Sequence, residues 1–234
     1  DAPAIPLPGG GSVRASGIAD RVDGWVHEGR LYLRVVDYKT GKKSFSLSDV
    51  WYGLGMQMLL YLFTLEKCGE TRYGREIAPA GVLYVPARDV LLSADGDLSD
   101  EEIADRRRRA LTRSGLILDR PDVVYAMEKS ETPARLPVKW KDGAPGGDSL
   151  ASAEQLGALG RRIQDTLIAM ACELRGGSIS ADPYYKGAQD NACLYCEYAD
   201  ACRFTDGEGG DERRYMPRLP ATKIWQYIKE GEPN

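Results

Sequence analysis

The chain has 234 residues, of which 43% are hydrophobic and 28% charged, and it carries a formal net charge of −4 at pH 7. That composition supplies one substantial core with appendages, a single mixed domain. No apolar run approaches the roughly 20 residues needed to cross a bilayer and no signal-peptide pattern opens the chain, so a cytoplasmic location is expected. The acidic balance, with a pI near 5.3, argues mildly against a nucleic-acid binder, although a cleft needs only local positive potential.

The first predicted elements form a hairpin. Residues 17 to 27 and 30 to 38 alternate in strand fashion around Glu28-Gly29, a two-residue turn, so cross-strand partners should have numbers summing to about 57. Asp20 then stands opposite Asp37. The period of two places Lys39 on the face of Asp37, with Val35, Leu33 and Leu31, while Val22 and Val26 share that face from the first strand. The charges therefore emerge from the core-facing side. On the other, solvent-facing side the same register pairs Asp23 with Arg34 as a structural ion pair and leaves His27, the one histidine, on the outer face.

Directly opposed antiparallel residues have Cβ atoms about 4.5–5.5 Å apart, and two carboxylates at that distance repel unless something sits between them. A hard divalent cation resolves the repulsion. Mg²⁺ takes oxygen ligands, commonly one or two carboxylates with water and phosphate completing the shell, which matches Asp20 and Asp37. Lys39, one strand repeat further on, has two readings. It orients or helps to deprotonate a water, or stabilises charge developing on a phosphate; or it neutralises a carboxylate where a strand stops.

Ser48 is expected to cap a helix from Asp49 to about Lys67, along which Gly53, Gln57 and Tyr61 succeed one another at i, i+4 spacing. Glycine at the head of that stripe would admit a backbone or a ligand. By residue type alone, Gln57 is an incidental polar residue on a largely buried helix. Residues 79 to 87 read as a further strand of a central sheet. The next helix begins at Ser99-Asp100-Glu101-Glu102 and carries Arg106 to Arg109 in its later turns; four consecutive arginines point all round a helix, so a solvated face is preferred to DNA contact.

Residues 121 to 150 read as a loop-rich passage with Asp142-Gly143 as a turn. Ala153 to Leu174 read as a helix ending at Gly176-Gly177, residues 182 to 204 as a cysteine module, and Ala221 to Glu230 as a terminal helix. Residues 1–181 thus form the core, and 182–234 a module packed on it. There is no repeat, Walker-type phosphate loop or helicase motif, so any ATP use belongs to other parts of a complex.

Cys193-x-x-Cys196 and Cys202, interleaved with Tyr195, Tyr198 and Phe204, favour metal over disulfide in a chain without signs of secretion. Three thiolates are one short of the four protein ligands that a structural zinc or an iron–sulfur cluster takes. Cys68 and Cys172 lie in helix-like surroundings and read as buried free cysteines.

Five segments together are more specific than any one: Gly17 to Asp23 (GIADRVD), Val36 to Gly41 (VDYKTG), Asp49 to Tyr61 (DVWYGLGMQMLLY), Ala80 to Tyr84 (AGVLY), and Cys193 to Tyr198 (CLYCEY). In this order they resemble the C-terminal nuclease domain of the AddB/RexB component of AddAB-type helicase–nucleases, a RecB-like branch of the PD-(D/E)XK superfamily, over nearly the whole chain. The resemblance implies an α/β, restriction-endonuclease-like core, a central mixed sheet flanked by helices. It implies a Mg²⁺- or Mn²⁺-dependent exodeoxyribonuclease that processes double-strand DNA ends for recombinational repair beside an AddA-type subunit that carries the motor.

By the same resemblance, Asp20 and Asp37 are metal ligands, Lys39 is the catalytic lysine, and Gln57 and Tyr61 form a Q-x-x-x-Y motif beside the site. Cys193, Cys196 and Cys202 are three of the four ligands of a 4Fe-4S cluster whose fourth cysteine lies upstream. That cysteine, a family histidine and the helices preceding the hairpin are expected to fall outside this chain, a fragment of a larger polypeptide. The alternative is a non-catalytic DNA-binding or iron–sulfur scaffold of the same fold; the opposed, inward-facing carboxylates favour the enzyme.

Overall fold

The computed structural model describes residues 3–41, 43–93, 96–130, 134–141 and 143–231. The chain enters through a short antiparallel ladder of β1 (Ile5–Pro6) and β2 (Ser12–Val13). Arg175 donates to the carbonyls of Pro8, at 2.6 Å, and Gly10, tying this entry to the end of a distant helix. The hairpin comes next as β3 (Arg21–His27) and β4 (Arg30–Lys39). Its register runs from Arg21 opposite Val36 to His27 opposite Arg30, each pair at the expected sum. Glu28 and Gly29 turn the chain with φ of 49° and 81°, the positive pair that a two-residue turn needs to match the twist of its strands.

In chain order the remaining elements are α1 (Leu47–Trp51), α2 (Gln57–Tyr73), β5 (Ile77–Pro86), α3 (Asp100–Ala110), β6 (Ser114–Leu118) and α4 (Pro121–Glu128). They continue with β7 (Lys139–Lys141), β8 (Ala144–Gly146), β9 (Leu150–Ala151), α5 (Ala153–Arg175), β10 (Tyr184–Gly187), β11 (Asp190–Asn191), α6 (Ala199–Cys202), β12 (Arg214–Tyr215) and α7 (Ala221–Glu230). The main sheet has the order β3-β4-β5-β6-β9. β4 lies parallel to β5, β5 antiparallel to β6, and β6 parallel to β9, so the sheet is mixed.

Both faces of this sheet are covered by helices, as an α/β fold requires. Val35, Val82 and Tyr84 pack on one face against Leu59 and Leu62 of α2 and Leu159 and Ile163 of α5. Leu83 and Ile117 pack on the other against Val124 of α4 and Leu136. The Asp23–Arg34 side is therefore not solvent-facing: Tyr32 and Val36 are buried there. Val26 departs the other way, standing half-exposed at the edge strand although it shares the face of Leu33.

The single helix expected over residues 49 to 67 is two. Ser46, not Ser48, caps α1, its side chain accepting from the Asp49 amide at 3.1 Å. The buried Ser48 hydroxyl accepts from the Leu219 amide instead. Gly53 and Gly55 break the chain with φ of 85° and 64° before α2 starts. A Cβ on Gly53 would sit 2.9 Å from Cε of Met170 on α5, so the close approach that this glycine permits is helix packing.

The passage 121 to 150, expected as loop, holds α4 and three short strands. Pro121 is the first residue of α4, where its missing amide costs nothing because that donor has no intrahelical partner. Asp142 of the expected turn lies outside the described residues; Gly143 has a φ of 78°. The helices expected from Ser99, Ala153 and Ala221 form as their sequences predict. Ser99 with Glu102, and Ser152 with Gln155, form capping boxes. No side chain of α3 is buried, and Arg108 and Arg109 pair with Asp105 on the same helix, the solvated arrangement expected of that run.

The C-terminal segment forms a three-stranded sheet, β11-β10-β12. It joins the rest through the Lys186–Asp49 ion pair at 2.9 Å, and α7 buries Ile224 in the main core. Among the described residues no helix is long and apolar enough to cross a membrane.

Candidate active site

The hairpin ladder delivers two carboxylates and an ammonium to one end of the sheet. The Tyr38 amide donates to Oδ2 of Asp20 at 3.1 Å, so Asp20, which precedes β3 and is exposed rather than core-facing, is tied through its side chain to the strand that carries Asp37. Lys39 Nζ lies 2.6 Å from Oδ2 of Asp37. That oxygen is buried and lacks a well-directed hydrogen bond. Contact with Asp37 raises the Lys39 pKa against the opposing effect of burial, with Tyr84 and Asp20 adding to the rise.

Tyr84 stands beside Asp37 in the parallel β4–β5 register, and Lys39 Nζ lies 5.8 Å from its ring centroid. Burial, then the Asp37 charge, push its hydroxyl pKa up. Asp20 and Asp37 offer the carboxylate oxygens that Mg²⁺ or Mn²⁺ takes, with water and phosphate left to complete the shell, since among the described residues no three His, Cys, Asp or Glu side chains are grouped there.

Gln57 opens α2 and donates from Nε2 to the hydroxyl of Tyr61 at 2.9 Å, one turn along. Tyr61 leans over Gly17 so closely that a Cβ there would lie 2.3 Å from its hydroxyl oxygen. Both side chains border a cleft of about 1110 Å³ between α2 and residues 15 to 19, the segment that runs directly into Asp20. No hydrogen bond among the described residues joins Gln57 or Tyr61 to either carboxylate, and neither Asp20, Asp37 nor Lys39 lines this cleft.

The cysteines stand apart. Cys193, Cys196 and Cys202 are free and exposed around α6. Among the described residues no three His, Cys, Asp or Glu side chains are grouped to hold a metal, so these thiols do not by themselves form a cluster cradle. Cys68 and Cys172 are half-buried, and Cys68 Sγ donates to the Thr64 carbonyl at 2.9 Å. His27 stacks on Trp25 with centroids 4.4 Å apart and lies 3.6 Å from Asp122.

Residues 3–203 match the PD-(D/E)XK nuclease superfamily. The chain belongs to that superfamily. It is similar to the B subunit of the ATP-dependent helicase/deoxyribonuclease of Desulforudis audaxviator, 36% identical over 244 residues covering 99% of this chain and 20% of the relative. The equivalent protein of Clostridium acetobutylicum is 32% identical over 96% of this chain and 20% of its own length. That of Clostridium novyi is 34% identical over 97% and 20%. The resemblance carried by the five segments is thus borne out, and the chain spans about a fifth of the length of these curated relatives.

Tyr84, the Tyr38 amide and Gly17 contact the candidate site residues in ways that residue patterns do not reveal. The Asp37–Tyr84 pairing is set by a parallel register between strands far apart in sequence. The role of Gly17 depends on the packing of α2.

Proposed function

We propose that this chain is the metal-dependent deoxyribonuclease region of a helicase–nuclease subunit. The observation that carries the reading is the end of the hairpin: Asp20 held by the Tyr38 amide at 3.1 Å, and Asp37 with Lys39 at 2.6 Å. Asp20 and Asp37 would hold Mg²⁺ or Mn²⁺, which when bound supplies Lewis acidity towards water and phosphate and offsets the mutual repulsion of the carboxylates. Lys39 carries a positive charge to the reacting phosphate and donates to its oxygens as negative charge builds there. Tyr84 backs the ammonium with its ring face. Gln57 and Tyr61 hold the α2 wall of the cleft in place and so orient the strand entering it.

The names of the relatives support DNA as the substrate and a multisubunit assembly as the setting. We place the reaction in the processing of double-strand ends for recombinational repair in the cytoplasm, beside an AddA-type subunit, with residues 1–181 as the nuclease core and 182–234 as the module packed on it. In the parent polypeptide, Cys193, Cys196 and Cys202 hold a 4Fe-4S cluster together with a fourth ligand from outside these residues. Their spacing, free thiols and exposure support that reading.

Soaking crystals with Mn²⁺ tests the site. An anomalous peak between Asp20 and Asp37 is expected, and a clean map there in an otherwise ordered crystal removes the basis of the proposal.

A further inference from the structure

Beside Lys39 lies a second cleft, of about 220 Å³, separate from the long groove along α2. Lys39, Lys43, Arg88, Ser44, Thr112 and Ser114 line it, and among the described residues no carboxylate does. This is unusual company in a chain of net charge −4. Lys43 and Arg88 form no ion pair or hydrogen bond among the described residues, whereas Lys39 already has Asp37. Two cations therefore face the cleft with their donors uncommitted.

The walls are built by backbone pairing. The Ala87 amide donates to the Lys39 carbonyl at 2.9 Å, which extends the β4–β5 ladder and brings Arg88 round to the side of Lys39. The Phe45 amide donates to the Ser114 hydroxyl at 2.7 Å and fastens the loop carrying Lys43 and Ser44 to the start of β6. The cleft is thus preformed, and Lys39 belongs both to it and to the carboxylate site. Cations without counter-charge in a concave site concentrate positive potential for an anion, and lysine, arginine and hydroxyl donors suit phosphate oxygens.

We propose that this cleft seats the phosphodiester next to the scissile one on the same DNA strand, with Lys43 and Arg88 as its charged contacts. The assignment rests on the nuclease reading of Asp20, Asp37 and Lys39. It makes Lys39 the hinge between two neighbouring phosphates and sets which stretch of backbone is drawn tight across the catalytic end of the sheet. It also explains how an acidic chain grips a polyanion: the positive charge is local.

The test is binding of a fluorescein-labelled oligodeoxythymidylate to the full-length protein in EDTA, read by anisotropy across a salt series. The double variant Lys43→Ala/Arg88→Ala should raise Kd about tenfold at low salt. It should also make the salt dependence shallower by about 1.4, roughly 0.7 for each lost single-strand phosphate contact. The charge-conserving pair Lys43→Arg/Arg88→Lys should keep most of the affinity, and the remote Lys229→Ala should bind as wild type. In Mg²⁺ the double alanine variant should raise KM more than it lowers kcat. Unchanged Kd and salt slope in a double variant with the wild-type circular dichroism spectrum would overturn the proposal. Because binding is read without metal, that result is distinct from failure of the nuclease reading, which shows instead as cleavage surviving Asp37→Ala.

Discussion

The amide of Tyr38 donates to the carboxylate of Asp20 at 3.1 Å, so the residue between Asp37 and Lys39 is the one that holds the opposing acid in place. Asp20→Asn keeps an acceptor for that amide and removes only the charge. It should fold as wild type while losing divalent-metal affinity, measured by calorimetry with Mn²⁺. Asp37→Ala and Lys39→Ala should each slow strand cleavage by about a hundredfold or more while sparing unwinding in the assembled complex. Single-turnover cleavage with each DNA strand end-labelled separately decides the matter, and near-wild-type rates in either variant would sink the assignment.

Gly17 and Tyr61 share a contact that admits no side chain on the glycine, since a Cβ would lie 2.3 Å from the tyrosine oxygen. Gly17→Ala should push the ring aside and break the 2.9 Å bond from Gln57. The expected stability loss is about 1–3 kcal/mol, the ordinary cost of overpacking, together with a fall in cleavage rate. Tyr61→Phe in the Gly17→Ala background removes the closest clash but leaves ring carbons 2.7 and 2.9 Å from the added Cβ, so it should recover part of the stability without recovering activity. Full activity in Gly17→Ala would show that the Gln57–Tyr61 bond does not matter to the reaction.

Asp23 receives Arg21 Nε on one oxygen at 2.6 Å and Arg34 Nε on the other at 2.8 Å. Burial alone would push its pKa up, but the two arginines outweigh that and hold it below the ordinary aspartate value of 3.8. A folded-state pKa below the unfolded one adds stability that is present above about pH 4 and is lost as pH falls through the folded value. Asp23→Asn should therefore cost about 1–3 kcal/mol at pH 7, where it strands the largely buried Arg34. The gap between variant and wild type should shrink towards about pH 3. Urea unfolding at the two pH values checks this, and a gap that stays constant contradicts the linkage.

Cys193, Cys196 and Cys202 supply three thiols where a cluster takes four. Iron and acid-labile sulfide measured on anaerobically purified protein should be stoichiometric in the full-length polypeptide. They should be far below one cluster per chain in these 234 residues alone. A full cluster in the shorter chain would mean that Cys68, Cys172 or a ligand other than cysteine completes the set.

Much of the site was legible because its geometry is local. A two-residue turn and a period of two determine the hairpin register by themselves, which is why the Asp23–Arg34 pair and the contact of Lys39 with Asp37 come out of the sequence in their observed relation. Capping residues sit within one turn of the helix they start, so the start of α3 at Ser99 was equally readable. The gathering of Lys43, Arg88 and Thr112 around one cleft was not, because they come from three separate connections.

Tertiary structure decided the rest. At the break between α1 and α2, α5 brings Met170 within 2.9 Å of where a Gly53 side chain would be, a contact between residues more than a hundred positions apart in the chain. Burial of the Arg34 side depends on α4 closing over the sheet, and Tyr84 reaches Asp37 only through the parallel pairing of β4 with β5. Sequence alone determines the features that depend on the spacing of neighbours: turns, caps, alternation and the hairpin they imply. Which distant segments press on those elements is set by packing of the whole core, where the free energy of burial selects among arrangements that local propensity leaves equally open.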